Sequence, residues 1–225
     1  MESSSRSQVV TRGGVRSGST REDLLEAAER VFARHGFAGG SLDEVAEQVG
    51  IRRPSLLHHF RSKRELYDAV EQRIFEALNE GLPELEAADS YAERLIRLLR
   101  HWLTFMINRP TAARIVLRNS SDLISRADNP VEFSGRTVES FTTIIDEGVK
   151  SGEFRPIEPI MVLNILGFSI LSFVCNADQF GTKRKYDILD NRLQAEFEDN
   201  LRRAAMAILM PKHDQGHLSP LQVGR

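Results

Sequence analysis

Apolar residues recur at helical spacing through most of the chain, separated by polar segments that contain glycine or proline. The first such stripe consists of Leu24, Leu25, Ala28, Val31 and Phe32. Residues three and four positions apart lie on one face of an α-helix, so the pattern predicts amphipathic helices. No stretch shows the strict alternation expected of a half-buried strand. The sequence therefore predicts an all-α protein.

Between residues 41 and 63 the pattern predicts two short helices joined by a tight turn. Ser41 can cap the first helix, and Glu44 stands where it would complete a capping box. Gly50 follows at the position where a helix commonly ends with positive φ. Pro54 suits the first turn of the second helix. This arrangement is typical of a helix-turn-helix, whose second helix enters the major groove of DNA.

Positive charge is concentrated just after this turn. Residues 52–64 contain five basic side chains and no acidic one: Arg52, Arg53, Arg61, Lys63 and Arg64. The whole chain has a formal net charge of -2, so any attraction to phosphate must be local. The alternative is an ordinary helical hairpin with a solvated basic face.

The rest of the chain predicts longer helices that form a second domain. One continuous helix runs from Ser62, with Glu65 as its capping-box partner, to about Asn79. Five further helices are predicted at about 85 or 90–108, 111–123, 131–150, 160–176 and 187–209. We therefore predict four segments: a disordered basic arm at 1–19, a helix-turn-helix domain at 20–65, a helical bundle at 66–210 and a flexible tail at 211–225.

The segment from Thr20 to about Val70 resembles the N-terminal DNA-binding domain of TetR-family transcriptional regulators. The resemblance rests on three groups of residues: Ala28, Phe32, Ala33, Gly36 and Phe37; Ala46, Gly50 and Ile51; His59, Phe60, Ser62, Lys63 and Leu66. It implies an N-terminal three-helix domain that binds double-stranded operator DNA. It also implies a C-terminal helical bundle for dimerisation and for binding a small-molecule effector.

Expected DNA contacts follow from the helix-turn-helix. We expect Ser41, His58, Ser62 and Lys63 to contact phosphate. We expect Arg52, Arg53 and Ser55 to reach base edges, with arginine to guanine as the natural pairing. Leu57 stands where the family usually has a tyrosine that contacts DNA.

The expected effector pocket and dimer surface lie in the second domain. A pocket is expected among Trp102, Phe105, Met106, Arg114, Arg118, Phe168 and Phe173, although the apolar members fit an ordinary core equally well. The helix at 160–174 is apolar nearly all round, which predicts burial on both sides. We expect the dimer surface at Leu163, Leu166, Ile170, Leu193, Phe197 and Leu201.

Other chemistry is not indicated. The sequence has no P-loop, no Rossmann glycine pattern and no nucleophile motif, so we expect neither an enzyme nor a cofactor. His58 and His59 are adjacent and diverge on a helix, while His213 and His217 have no third ligand nearby. The single cysteine, Cys175, and the lack of a membrane-length apolar run predict a cytoplasmic protein.

These features predict a repressor that binds a pseudo-palindromic operator as a homodimer and is released by a small ligand. Two alternatives stay open at this stage. The protein could be an activator or a ligand-independent DNA-binding regulator. In a different class, it could be a small-molecule-binding or catalytic helical bundle that never meets DNA.

Overall fold

The computed structural model describes residues 20–82, 89–121, 134–177 and 186–211. These ranges contain nine α-helices and no strand: α1 Thr20–Gly39, α2 Leu42–Val49, α3 Arg53–His59, α4 Lys63–Glu80, α5 Tyr91–Asn108, α6 Pro110–Ser121, α7 Gly135–Lys150, α8 Pro159–Cys175 and α9 Asn191–Leu209. The predicted all-α class is confirmed. The predictions for the arm at 1–19, for His213 and His217, and for the tail beyond Pro211 lie outside the described residues.

The chain divides into two compact units, and the boundary between Val70 and Glu71 lies inside α4. The boundary expected from the sequence, after residue 65, lies in the same helix. Each unit has its own apolar interior, as a domain requires. One helix therefore begins in the first unit and continues into the second.

The first unit packs α1, α2, α3 and the start of α4 around fully buried apolar side chains, which include Leu24, Phe32, Leu56, Phe60 and Leu66. Gly36 interrupts α1 with φ 70° and ψ 179°, after which helical residues continue to Gly39. Helix α1 is therefore kinked at Gly36 and does not end there. Positive φ is inexpensive for glycine, which explains why the bend falls at this residue.

The second unit is built around α5 and α8, whose buried faces contact α7 and α9. Trp102 of α5 stacks on Phe141 of α7 with ring centroids 5.5 Å apart. The first turn of α5 is capped twice. Ser90 and Glu93 form a capping box, and the Glu153 carboxylate accepts the backbone N–H groups of Tyr91 and Ala92 at 2.9 Å each. These contacts satisfy donors that a helix start leaves open.

The structure decides between two predicted starts for α5 and moves the predicted start of α9. The capping box selects Ser90, not Leu85, as the start of α5. Helix α9 begins at Asn191, not near Asp187, because the Asp190 carboxylate accepts the backbone N–H groups of Arg192 and Leu193. A side chain that bonds these N–H groups sets the helix start.

Helix α8 has one buried side and one exposed apolar side. Its inward row, with Leu166 at 0% and Ile170 at 2% exposure, belongs to the core of its own chain. Leu201 of α9 is likewise only 5% exposed. The expectation that Leu166, Ile170 and Leu201 lie at the dimer surface is therefore wrong. A side chain that is buried in the core of its own chain cannot contact a second subunit.

The exposed side of α8 carries large apolar residues: Ile160 at 50%, Met161 at 57%, Ile165 at 50% and Phe168 at 36% exposure. The other expected dimer residues, Leu163, Leu193 and Phe197, are half-buried, and Leu163 and Phe197 pack against the chain's own core. Large neighbouring apolar side chains on a surface commonly mark an interaction site. None of the described helices is long and apolar enough to cross a membrane.

Candidate nucleic-acid interface and cavity

Helix α2 begins at the residue expected from the sequence but without the expected capping box. The Ser41 hydroxyl accepts the backbone N–H of Asp43 at 3.2 Å, with Ser41 in an extended conformation. The Glu44 carboxylate instead lies 3.6 Å from Nε2 of His35 in α1. Glu44 therefore faces α1, and the serine hydroxyl caps the helix without it.

The turn between α2 and α3 depends on Gly50. This residue has φ 74° and ψ 26°, the left-handed conformation. Its N–H donates to the Glu47 carbonyl at 3.0 Å, and the N–H of Ile51 donates to the Ala46 carbonyl at 3.0 Å. These bonds satisfy carbonyls at the end of α2. The short turn predicted by the sequence is present.

Helix α3 is attached to the unit by very few of its own side chains. Leu56 is 0% exposed, while the flanking positions of α3 are exposed, among them four expected DNA contacts: Arg53, Ser55, Leu57 and His58. Arg52, which precedes the helix, is exposed as well. His59 also faces solvent. The helix thus presents nearly all of its side chains to an external partner.

Arg53 already has an acidic partner within the unit. Its guanidinium donates to the Asp43 carboxylate at 2.9 Å, and both side chains are more than half exposed. An exposed ion pair of this kind contributes only about 0.2–1 kcal/mol. Arginine has five N–H donors, so a base edge or phosphate can share or replace this contact. The acid-free run after residue 52 concealed this partner, because Asp43 lies on the preceding helix.

Lys63 is committed to contacts that the sequence did not indicate. Its ammonium donates to the Ala38 carbonyl at 2.9 Å and lies 5.0 Å from the ring centroid of Phe37. Burial lowers the pKa of Lys63 from its usual value. The contacts join the start of α4 to the end of α1. An ammonium has three donors, which leaves capacity for the expected phosphate contact.

Ser62 caps α4 as expected, with one change in its partner. The Glu65 backbone N–H donates to the Ser62 hydroxyl at 3.0 Å, but the Glu65 carboxylate accepts the N–H of Arg61 at 2.7 Å. The reciprocal bond is thus displaced by one residue from an ordinary capping box. Ser62 is exposed and Ser41 half-buried, each beside a helix start.

Comparison with known proteins agrees with this geometry. The family described as "Bacterial regulatory proteins, tetR family" matches residues 24–70, which cover most of α1, all of α2 and α3, and the start of α4. The chain belongs to the tetR family of bacterial regulatory proteins. The resemblance noted in the sequence is therefore confirmed.

Curated relatives of this tetR-family chain carry several regulatory names. The HTH-type transcriptional activator FasR of Mycolicibacterium smegmatis is 32% identical over 114 residues, which cover 48% of this chain and 52% of FasR. The HTH-type transcriptional regulator RutR of Escherichia coli is 23% identical over 222 residues, covering 90% of this chain and all of RutR. The repressor NicS of Pseudomonas putida is 26% identical over 140 residues, 60% of this chain and 66% of NicS. The match to FasR spans only about half of that protein.

Solved structures extend the likeness to both units. The putative transcriptional regulator SCO4942 of Streptomyces coelicolor superposes with a TM-score of 0.62 at 23% identity, covering 86% of this chain and 100% of that one. A putative fatty acid metabolism regulator of Clostridium perfringens gives 0.66 at 19% identity, with 84% and 100% covered. AibR, in complex with isovaleryl coenzyme A and operator DNA, gives 0.62 at 19% identity, with 86% and 100% covered. These likenesses establish the fold.

The second unit of this tetR-family chain contains a cavity of about 210 Å³. Three expected pocket residues, Trp102, Met106 and Phe168, line it. The complete described lining is Phe75, Leu78, Trp102, Met106, Val116, Ser120, Ser134, Thr137, Val138, Leu163, Gly167, Phe168, Ile170 and Leu171. Helices α4 to α8 all contribute to this wall.

Four other expected pocket residues do not line the cavity. Arg114 and Arg118 are exposed on α6, and Phe105 is half-buried on α5. Phe173 packs elsewhere: its ring stacks on Phe197 of α9, with centroids 4.1 Å apart. These residues have suitable side chains but lie on faces of their helices that point away from the cavity. The sequence did not reveal which face each residue occupies.

Three cavity residues missed by the sequence analysis carry hydroxyl groups: Ser120, Ser134 and Thr137. Thr137 is nearly fully buried on α7, and its hydroxyl donates to the Asn79 side-chain carbonyl at 2.8 Å. Ser120 on α6 donates to the Leu117 carbonyl at 2.7 Å. A threonine inside the apolar stripe of α7 was the available signal, because buried hydroxyl groups need partners.

Beside the cavity, a buried polar contact joins α4 to α6. Glu71 is 1% exposed, and its carboxylate accepts a hydrogen bond from the side-chain amide of Asn119. The next residue, Ser120, lines the cavity. A buried carboxylate requires such partners, so this contact is expected to resist rearrangement unless both helices move together.

Proposed function

We propose that this protein is a DNA-binding transcriptional regulator that represses by occupying a pseudo-palindromic operator as a homodimer and leaves it when a small molecule binds. The observation that carries the proposal is α3, attached through buried Leu56 while its basic and polar side chains face solvent. A helix of this kind after a glycine turn is the recognition element of a helix-turn-helix. We also propose that the protein is not an enzyme. We propose that it is located in the cytoplasm, together with its operator DNA.

The proposed DNA contacts divide by chemistry. Ser41, His58, Ser62 and Lys63 would contact phosphate, which positions the protein without reading sequence. Arg52, Arg53 and Ser55 would read base edges, and Leu57, being apolar and exposed, would contact a thymine methyl group. Specificity should therefore reside on α3 and the residue before it.

The proposed dimer surface is the exposed apolar side of α8. It comprises Ile160, Met161, Ile165 and Phe168, which one chain leaves in water. A second copy that covers this side would bury apolar area on both subunits. Dimerisation also supplies the second helix-turn-helix that a pseudo-palindrome requires, since each one covers only a half-site.

The proposed release mechanism links the cavity to α4. Phe75 and Leu78 of α4 line the cavity, and Glu71 of α4 is bonded to α6. A ligand in the cavity thus contacts the helix that begins with Ser62 and Lys63 in the DNA-binding unit. AibR, a protein of the same fold, was solved in complex with isovaleryl coenzyme A and operator DNA. Coupling of the two sites would be reciprocal, so DNA and ligand would weaken each other's binding.

Activation is a second candidate function, because FasR, the relative at 32% identity, is named an activator. The two candidates share the DNA-binding unit and differ in what occupancy does to transcription. Transcription from a promoter that contains the operator, measured with and without the protein, separates them. Repression lowers the transcript and activation raises it.

The decisive experiment uses DNA that flanks the gene for this protein. Footprinting should protect two half-sites one helical turn apart, and binding should weaken steeply as salt rises. A scrambled duplex of equal length and composition is the matched DNA control. Arg52→Ala should weaken binding, while Arg114→Ala, an exposed arginine of α6, should leave it unchanged. Equal retention of operator and scrambled DNA would contradict a sequence-specific regulator.

A further inference from the structure

An exposed ion pair joins the first turns of α2 and α3. Asp43 is the second residue of α2, and Arg53 is the first residue of α3. Nη1 of Arg53 donates to Oδ2 of Asp43 at 2.9 Å, with the Arg53 side chain 53% exposed and that of Asp43 63% exposed. A pair this exposed adds little to the free energy of unfolding. The pair is therefore more important for what Arg53 contacts outside the unit than for folding.

The bond to Asp43 involves one corner of the planar guanidinium and leaves an edge for another acceptor. Nε–H and Nη2–H point in the same direction along that edge, which is the arrangement that binds two acceptors at once. In the major groove, O6 and N7 of guanine are such a pair of acceptors. Holding Nη1 restricts the rotamers of Arg53 before DNA binds, so less side-chain entropy is lost on binding. Asp43 thus prepares Arg53 for a bidentate contact with guanine.

Asp43 also changes how Arg53 responds to phosphate. An arginine without a carboxylate partner neutralises phosphate whatever the sequence, and such contacts provide non-specific affinity. The Asp43 carboxylate cancels the charge of Arg53 at 2.9 Å and repels any phosphate that approaches the pair. The donors of the guanidinium remain, but the net attraction to the DNA backbone does not. The pair therefore favours a base edge, which brings neutral acceptors, over phosphate.

We propose that Asp43 is a positioning residue that determines DNA specificity by holding Arg53 so that its guanidinium binds guanine in preference to phosphate. The inference rests on the DNA-binding function proposed above and concerns which sequences the protein accepts. Asp43 acts through Arg53 and not by its own contact with a base. A carboxylate on α2 thus controls a base that is read from α3.

Selection from a library of random-sequence duplexes, with the full-length protein, tests the effect on specificity. The wild type should enrich a motif with a guanine in each half-site. Asp43→Ala should lower the preference for that guanine by about twofold to tenfold, the effect of ordering one long side chain. A motif without guanine, or an equal preference in both proteins, would overturn the inference. A wild type that enriches no motif would overturn the proposed function itself, so the two failures are distinct.

A double-mutant cycle tests whether Asp43 acts through Arg53. Fluorescence anisotropy on single-base variants of the selected duplex measures the guanine preference of each protein. Arg53→Ala should abolish this preference, and adding Asp43→Ala should cause no further loss, because the residue that it positions is already gone. A further loss as large as that caused by Asp43→Ala alone would show that the carboxylate reads a base independently, and would overturn the positioning role.

Two further variants separate the hydrogen bond from the charge. Asp43→Asn keeps an acceptor oxygen and should retain more of the guanine preference than Asp43→Ala. Both variants should bind a mixed-sequence duplex with a salt slope steeper by about 0.9, since the charge of Arg53 is no longer cancelled. An unchanged slope would overturn the restraint on phosphate binding.

Glu47→Gln is the matched control. Glu47 is exposed on α2 four residues after Asp43, so the substitution removes the same charge from the same face of the helix. This variant should keep the full guanine preference of the wild type. An equal loss in Glu47→Gln and Asp43→Ala would reveal a general effect of negative charge on α2 and would overturn the inference.

Discussion

Helices α3 and α8 are built alike and present opposite surfaces. Each has an inward side fixed by buried leucine, Leu56 in α3 and Leu166 in α8. The exposed side of α3 is basic and polar, whereas that of α8 carries isoleucine, methionine and phenylalanine. The first suits a polyanion whose contacts weaken with salt, and the second suits another apolar surface. The chemistry of the exposed side, and not burial, therefore indicates the kind of partner.

The largest expected effect lies on the exposed side of α8. Ile165→Glu places a carboxylate in the proposed dimer surface, where an unpaired buried charge should cost about 3–5 kcal/mol of association. Sedimentation should then show monomers that remain helical. Thr143→Glu, at an exposed position of α7, is the matched control and should leave the dimer intact. A wild-type protein that sediments as a folded monomer at micromolar concentration would remove the assignment of α8.

The inward side of α8 should respond in stability. Leu166→Ala leaves a cavity in the core of the second unit, and we expect a loss of about 2–5 kcal/mol in denaturant unfolding. Ile165→Ala, the exposed neighbour, should cost far less when both variants are compared with the wild type at a dilution at which the wild type is monomeric. If Leu166→Ala changed only the dimer association constant and not the free energy of unfolding, the assignment of Leu166 to the core side of α8 would be wrong.

On α3 the expected effect is on DNA affinity and not on folding. Arg53→Ala should weaken binding to a verified operator by about 1–3 kcal/mol and relax one base position if that arginine reads guanine. Its ion pair with Asp43 is exposed, so unfolding should change little. Fluorescence anisotropy across a set of single-base operator variants gives both affinity and specificity. Unchanged affinity would place base reading on other residues.

The smallest expected effect is at Lys63. Lys63→Met should weaken all DNA sequences about equally and reduce the slope of log affinity against log salt by about one. The same change removes the bond to the Ala38 carbonyl, so thermal unfolding must be measured in parallel. Lower stability with an unchanged salt slope would show that this lysine serves only to join α4 to α1. Lys63 would then have a structural role, unlike the basic side chains of the same unit that contact DNA.

The first unit could be predicted closely from the sequence because its signals are local. Ser41, Gly50 and Ser62 act on backbone atoms a few residues away, and each does so in the structure. The contacts that the sequence did not predict in this unit join residues farther apart in the chain. The Glu44 carboxylate lies beside His35, and the Lys63 ammonium donates to the carbonyl of Ala38. Ala38 lies just after the kink at Gly36, and the spacing of apolar residues cannot predict the direction of that kink.

In the second unit the helices could be predicted, but not the side that each residue takes. Helix α8 is apolar all round, so its sequence has no periodicity to separate Leu166 from Ile165. Phe173 and Phe168 are chemically identical, yet one stacks on Phe197 and the other lines the cavity. Hydrophobicity alone can place a residue in a bundle but cannot choose between a neighbour helix, a cavity and a second subunit.

The capping of α5 by Glu153 has a consequence for the order of events during synthesis. The carboxylate lies 62 and 61 residues after the two N–H groups that it accepts, so α5 leaves the ribosome with its first turn incompletely capped. Nearby, the backbone N–H of Arg155 donates to the Leu209 carbonyl, which closes the unit only at the end of α9. The first unit needs no residue this late and can fold while the second is still being made. A chain released early would thus carry a formed DNA-binding unit next to exposed apolar helices, a species prone to aggregate and to be degraded.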